Sequence, residues 1–325
     1  MNNKCLLFIN RNISVLITVI LFFLMFIIGG ILFRGFFSAQ VFYNLFIDNA
    51  FMIVTACGMT MVIITGGIDL SVGSVIALST MVVAHLTEKA NVNPLIAVFI
   101  ALSMGSLFGL AHGIVISLFN IAPFIVTLAG MFLARGLCYV ISTESITINN
   151  PIMHKIALLK IPFINGQISI NVIIALTVLI ATYIILQYTK FGRTLYAIGG
   201  NEQSAMLMGL NVKKTKIIVY MLNGLLASLS GIVFSLYMLS GYSLHAQGGE
   251  LDAIASCVIG GTLLSGGVGN VIGTLFGVLI LGVIQTLIMF QGTLSSWWTR
   301  IAIGILLLFF ILFQTLFIKS HKSNI

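Results

Sequence analysis

The chain is predicted to be an all-α, polytopic helical bundle in a membrane, a single transmembrane domain over residues 1–325 with about ten spans and both termini cytoplasmic. Three observations carry that prediction. The first is composition: of 325 residues, 59% are apolar and only 7% charged, and the mean hydropathy is +1.18. A water-soluble domain carries about 25% charged residues, so this surface faces lipid. The second is a run of apolar segments, most of them near the ~20 residues that cross ~30 Å of hydrocarbon. The third is a pair of glycine-rich interruptions, 65–74 and 260–270, each flanked by apolar runs.

Taken in order, the apolar segments are 13–33, 46–65, 74–86, 94–118, 122–141, 171–188, 216–239, 252–264, 271–290 and 299–318. Segment 13–33 follows Lys4 and Arg11, is too long for a signal-peptide core and has no A-x-A site after it, so it reads as a retained first span. Segments 74–86 and 252–264 are too short to cross alone and adjoin the two interruptions, the arrangement that points to a transport pathway. Orientation comes from the connection 189–215 and the start of the helix after it. There Lys190, Arg193, Lys213, Lys214 and Lys216 oppose the single acid Glu202, which makes this connection cytoplasmic by the positive-inside rule. Counting spans outward puts 66–73 and 260–270 on the cytoplasmic side, and 87–93, 142–170, 240–251 and 291–298 outside. Trp297 and Trp298 then fall at the outer end of the last span, as an interfacial belt.

The first interruption reads Thr65-Gly66-Gly67-Ile68-Asp69-Leu70-Ser71-Val72-Gly73-Ser74. Irregular backbone in hydrocarbon leaves unpaired N–H and C=O groups and is tolerated only where protein or a water-filled cavity covers it. Two readings stand side by side. One is a broken span on the pathway, with Asp69 as an intramembrane carboxylate; the other is a tight cytoplasmic turn in which Asp69 and Ser71 cap the following helix. Asp69 would line the pathway, hold the break through N–H bonds, or cap; the two structural roles are favoured. The second interruption, with Gly260, Gly261, Ser265 and Gly266, repeats the GG…S.G…VI pattern. Together they offer hydroxyl and backbone groups (Thr65, Ser71, Ser74, Thr262, Ser265) without a cluster of cations, which suits an uncharged polar solute. Arg135 reads as a snorkelling residue near the outer face. Gly105, Gly109 and Gly113, and again Gly269, Gly273 and Gly277, recur every four residues as close-packing helix faces.

The chemistry that is missing narrows the function. There is no G-x-x-x-x-G-K-[ST], no H-E-x-x-H and no G-x-S-x-G, so neither P-loop ATP binding nor these hydrolytic sites are expected. Cys5, Cys57, Cys138 and Cys257 lack CxxC spacing, and the five histidines are scattered; no metal, cofactor or catalytic residue is expected. The net charge of +8 is spread along span ends, facing lipid, and does not form a nucleic-acid patch. No chain of intramembrane Asp, Glu or His suggests a proton relay.

The connection 189–215 contains one more element. Asn201 is a plausible N-cap, Glu202 suits the positive helix end, and Gly209 is a C-terminal stop, giving a short helix over 202–208. Its small and apolar residues Ala205, Met206 and Met208 suit a partner's groove or the lipid surface.

The stretches GMTMVIITGGIDLSVGSVIAL (58–78), FGRTLYAIGGNEQSAMLMGL (191–210) and GGELDAIASCVIGGTLLSGGVGN (248–270) resemble the sugar-type permease subunits of bacterial ABC importers, the ribose/xylose/galactose group. DNAF (48–51), STESITINNPI (142–152), LMGL (207–210) and GTLSSWWTRIAIGILL (292–307) are most similar to permease subunits of galactofuranose importers. Cys57 and Cys257 stand where Ala or Val is expected, and 155–170 resembles nothing placed. The resemblance implies an inner-membrane passage for a monosaccharide delivered by a periplasmic binding protein. It also implies a second permease subunit, identical or not, and a separate ATPase subunit. The 202–208 helix would be the coupling helix on that ATPase, with Gly199, Gly200, Asn201, Glu202, Ala205 and Gly209 forming its setting. The competing reading is an ion- or proton-coupled secondary transporter of a small polar solute.

Overall fold

The computed structural model describes residues 13–164, 166–295 and 297–322; Lys4, Cys5 and Arg11, used above, lie outside them. Each of the ten apolar segments contains a helix, but the helices are not ten equivalent spans. Six are long and apolar enough to cross a membrane: α1 (Ile13–Leu32), α5 (Pro94–Phe119), α6 (Pro123–Ile141), α8 (Ile170–Tyr188), α11 (Val212–Met238) and α13 (Val271–Gln291). A seventh candidate is the pair α2 (Ala39–Asp48) and α3 (Ala50–Ile64), bent by 54°. The apolar segment 46–65 takes in α3 but only the last turn of α2, so the bend at Asn49 is not visible in it. At the bend Asn49 Nδ2 donates to Leu45 O at 2.8 Å, pairing a carbonyl at the interrupted ladder.

The centre of the bundle is α3 and α11. Apart from Phe51, every residue of α3 is buried, as expected for a helix that is apolar all round. Against α11 lies α5, whose Gly105, Gly109 and Gly113 leave no room for a Cβ because Gly224 O, Tyr220 O and Ile217 Cα occupy that space. Gly273 and Gly277 of α13 meet Gly260 and Ser256 in the same way, while Gly269 precedes that helix and packs on Ile64. Small residues at these contacts let backbones approach closely.

The two short segments are half-length helices joined to irregular chain. Helix α4 (Val72–Glu88) does not start at a surface turn. Residues 65–71 run back alongside α3 first, so that Asp69 lies beside Asn223, whose amide also packs on Gly58 in the middle of α3. Helix α12 (Gly249–Ile259) is entered by a re-entrant segment. Gly241 packs on Thr80 and Ala84, and Ala246 and Glu250 reach Gly73. The chain thus descends along α4 from Thr80 and Ala84 to Gly73, seven to eleven residues of helix, about 10–16 Å at ~1.5 Å per residue. This corrects the expectation that 240–251 is simply an outer loop.

The stretch 142–170 is structured, which the sequence reading missed. Strand β1 (Ile146–Thr147) pairs antiparallel with β4 (Ser240–Gly241). Helix α7 (Pro151–Ala157) follows, with Asn150 N donating to Glu88 Oε1 at 2.9 Å. The hairpin β2 (Lys160–Phe163) and β3 (Gly166–Ser169) then leads into α8. The connection 189–211 holds α9 (Lys190–Gly200) and α10 (Glu202–Leu207), and the last described helix is α14 (Trp297–Lys322).

Candidate functional site

Helix α3 ends where Thr65 and Gly66 turn back: Gly66 N donates to Ile63 O at 2.8 Å and Gly67 N to Val62 O at 3.2 Å. Gly66 has φ +78, the left-handed geometry that a helix stop uses and that glycine adopts without penalty. The chain beyond is buried. Ile68 O accepts from Thr127 Oγ1 at 3.4 Å. Asp69, 1% exposed, accepts through Oδ1 from Ser71 N at 2.9 Å and Ser71 Oγ at 2.6 Å, and through Oδ2 from Asn223 Nδ2 at 2.8 Å. The cytoplasmic-turn expectation is therefore corrected: Gly67, Asp69 and Ser71 are covered by α3, α6 and α11. The helix-cap expectation is corrected too. Ser71 occupies the N-cap position without a side-chain cap bond, and Asp69 bonds to Ser71 and to α11 instead. Gly73 sits apart from these, against Glu250 and Ala246.

Helix α12 stops in the same manner. Gly261 N donates to Val258 O and Thr262 N to Cys257 O, each at 2.9 Å. Gly260 lies against Gly273 of α13. A tight loop follows, closed by Leu263 N to Val268 O at 3.0 Å, and Asn270 Oδ1 caps α13 by accepting from Ile272 N at 2.9 Å. Ser265 is exposed at the tip.

The two breaks and the polar connection meet at one point. Gly267 N donates to Ile64 O at 2.9 Å, tying the loop after α12 to the last residue of α3. The last turn of α9 is set into this joint. A Cβ on Gly266 would stand 2.8 Å from Gly66 N and 3.0 Å from Gly199 Cα, and one on Gly267 would stand 3.0 Å from Gly200 N. Gly66 and the pairs Gly199–Gly200 and Gly266–Gly267, from three distant parts of the chain, thus pack backbone on backbone, while Gly67 turns aside to pack on Tyr220 and Val62. Tyr196 adds a side-chain tie, its Oη donating to Gly269 O at 2.9 Å; burial pushes the phenol pKa up, which keeps the donating proton in place.

Directly after the joint comes α10. Asn201 Oδ1 accepts from Ser204 N at 2.8 Å, and Gly209, at φ +79, ends the helix with its N–H on Met206 O, as the capping pattern predicts. Glu202 pairs with Lys216 of α11 at 2.7 Å. One expectation changes. Ala205 is fully buried against Ile198 and Val212, so it anchors the helix and is not available to a partner. The apolar side chains turned outward are Met206, Leu207 and Met208, with Leu207 90% exposed.

Sequence reasoning thus identified Gly66, Gly199, Gly200 and Gly266 without showing that they touch. It missed Asn223, whose signal was an amide within an apolar span, and Tyr196. Arg135 is not snorkelling: its Nη1 donates to Ser243 O and to His245 O, the latter at 3.0 Å, in the re-entrant segment. Asp252 pairs with Arg300 at 3.3 Å. No group of three or more potential ligands able to hold a metal ion occurs among the described residues.

Known proteins resemble this chain over nearly its whole length. The family described as branched-chain amino acid transport system / permease component matches residues 41–311. The inner membrane ABC transporter permease protein YjfF of Escherichia coli K12 is 51% identical, covering 94% of this chain and 93% of that protein. The fructose import permease protein FruG of Bifidobacterium longum is 42% identical over 94% of this chain and 91% of its own length. The ribose import permease protein RbsC of Escherichia coli K12 is 39% identical over 86% of each. No solved structure matches. With a chain-long match to that family and half its residues shared with one ABC permease, the protein is a multi-pass, non-catalytic transport component and belongs to the ABC transporter permease family.

Proposed function

We propose that this chain is one transmembrane half of an ATP-driven importer that passes a neutral monosaccharide across the bacterial inner membrane, with galactofuranose the first candidate. The observation that carries the reading is the glycine joint. The breaks after α3 and α12 and the end of α9 share one contact, and α10 continues from that contact with an apolar face outward. An ATPase subunit docked on Met206, Leu207 and Met208 would move α9 and α10 together, because Ala205 and the Glu202–Lys216 pair fix α10 to its neighbours. Backbone-to-backbone packing without intervening side chains would pass that displacement to the ends of both broken helices, and alternating access would follow from their re-orientation. Asp69 on this reading is a scaffold group of the first break. A periplasmic binding protein and a second permease subunit complete the assembly, and the curated relatives that import fructose and ribose support a sugar as cargo. The galactofuranose assignment rests on sequence resemblance alone.

The test is reconstitution with the binding protein, the ATPase and the partner permease, followed by ATP hydrolysis measured with galactofuranose, ribose, fructose and leucine. Stimulation by a sugar is expected. Stimulation by leucine alone would transfer the chain to amino-acid import, and transport without any ATPase would favour a secondary transporter. Leu207→Asp is expected to abolish stimulation, with the folded permease recovered in normal yield.

A further inference from the structure

A second polar feature lies at the opposite end of α11 from the glycine joint. A partly open cavity of about 240 Å³ lies between α2, the end of α7, the β2–β3 hairpin, the start of α8 and the end of α11. It is smaller than the ~300–1,000 Å³ typical of pockets for drug-sized ligands, which suits one small ring. Its polar groups point to what that ring carries. Asn171, 3% exposed, donates through Nδ2 to Val233 O at 3.3 Å, while its Oδ1 is buried without a hydrogen-bond partner. Ser169 Oγ is likewise buried and unpartnered. Such atoms cost stability unless something satisfies them. Asn44, whose Oδ1 accepts from Gln40 Nε2 at 2.8 Å, shares the lining with Gln167, Lys160 and Tyr237, whose hydroxyl donates to Asp48 Oδ1 at 3.0 Å. No carboxylate lines the space.

We propose that this cavity is a receiving subsite for a neutral monosaccharide at the outer mouth of the permease. Amide and hydroxyl groups on one side match the hydroxyl edge of a sugar, and the Tyr237 ring offers a surface for its C–H face. Asn171 Oδ1 and Ser169 Oγ are closed off from the cavity in the free chain; on binding, these two lining residues turn to meet the sugar's hydroxyls in place of partners they lack. The hairpin that lines the cavity belongs to the stretch 155–170, for which the sequence offered no reading, and holding cargo gives that stretch a function. This inference rests on the sugar-importer reading and assigns it a place in the fold.

The full chain in lipid nanodiscs, without partner proteins, would be titrated with ribose, fructose and galactose, and with galacturonate as the charged control, using saturation-transfer NMR. A neutral sugar is expected to bind saturably, and Asn171→Leu and Gln167→Ala are each expected to weaken binding about tenfold, the loss of one neutral hydrogen bond. Gln167 is an exposed hairpin residue, so its variant tests the site even where the Asn171 variant folds poorly. The same proteins in the complete transporter would be assayed for sugar-stimulated ATP hydrolysis. Normal stimulation, with both variants unchanged in binding and in KM, would overturn the subsite and leave the importer standing. Binding of galacturonate alone would overturn the neutral class. Absence of stimulation by any sugar in the unaltered transporter would overturn the importer reading and the subsite with it.

Discussion

The two interruptions share a glycine pair, a serine and a return to apolar helix, yet they are built for different work. The first is internal. Its carboxylate is 1% exposed and fully engaged by Ser71 and Asn223, and the segment runs inside the bundle between α3, α6 and α11. The second is a tight loop whose tip reaches the surface, with Ser265 and Val268 exposed while Thr262 and the glycines are pressed inward. The difference shows why one interruption contains a carboxyl side chain and the other does not. Buried irregular backbone needs a strong acceptor to satisfy its donors, whereas a loop at the surface closes on its own N–H groups and water.

The sharpest way to break this comparison is to remove the polar tip of each loop. Asp69→Leu leaves Ser71 N, Ser71 Oγ and Asn223 Nδ2 without an acceptor, at about 1–3 kcal/mol for each buried group, so little assembled protein is expected in the membrane. Asp69→Asn retains one oxygen, and its new N–H can be received by Asn223 Oδ1 after an amide flip; yield is expected to fall less than twofold, on the order of a few tenths of a kcal/mol. Ser265→Leu is expected to leave yield unchanged. Detergent-solubilised, monodisperse protein measured by size-exclusion chromatography decides it. Equal yields for Asp69→Leu and Ser265→Leu would erase the distinction.

A smaller effect separates the two sides of the glycine joint. Tyr196→Phe removes one hydrogen bond to Gly269 O, about 0.5–1.5 kcal/mol, and touches only the second loop. Hydrogen exchange is expected to speed up at residues 263–270 and stay unchanged at 66–71. Faster exchange in both segments would show that the joint behaves as one unit.

How much of this was legible beforehand differs by feature. The caps at Asn201 and Asn270 and the stops at Gly66 and Gly209 are local, involving residues two to four apart, and Asn201 and Gly209 were read from the sequence as such. Ala205 was misread because a six-residue helix has too few turns for periodicity to tell its inner face from its outer one. The re-entrant segment 240–248 was misread because span counting treats polar and glycine-rich connections as surface, although protein can cover them within the membrane.

By itself, the sequence determined that the chain lives in a membrane, where most of its helices run and where its two glycine-rich breaks fall, because hydropathy and capping act over neighbouring residues. The tertiary structure alone decided that Gly66, Gly199 and Gly266 form one joint, that Asn223 completes the Asp69 site, and that Asn171 lines a cavity. The physical reason is that α3 is apolar on every side, so nothing along it marks which neighbour it meets. Close contacts at glycines leave no residue-type signature of their partner, and only the packing of distant segments selects it.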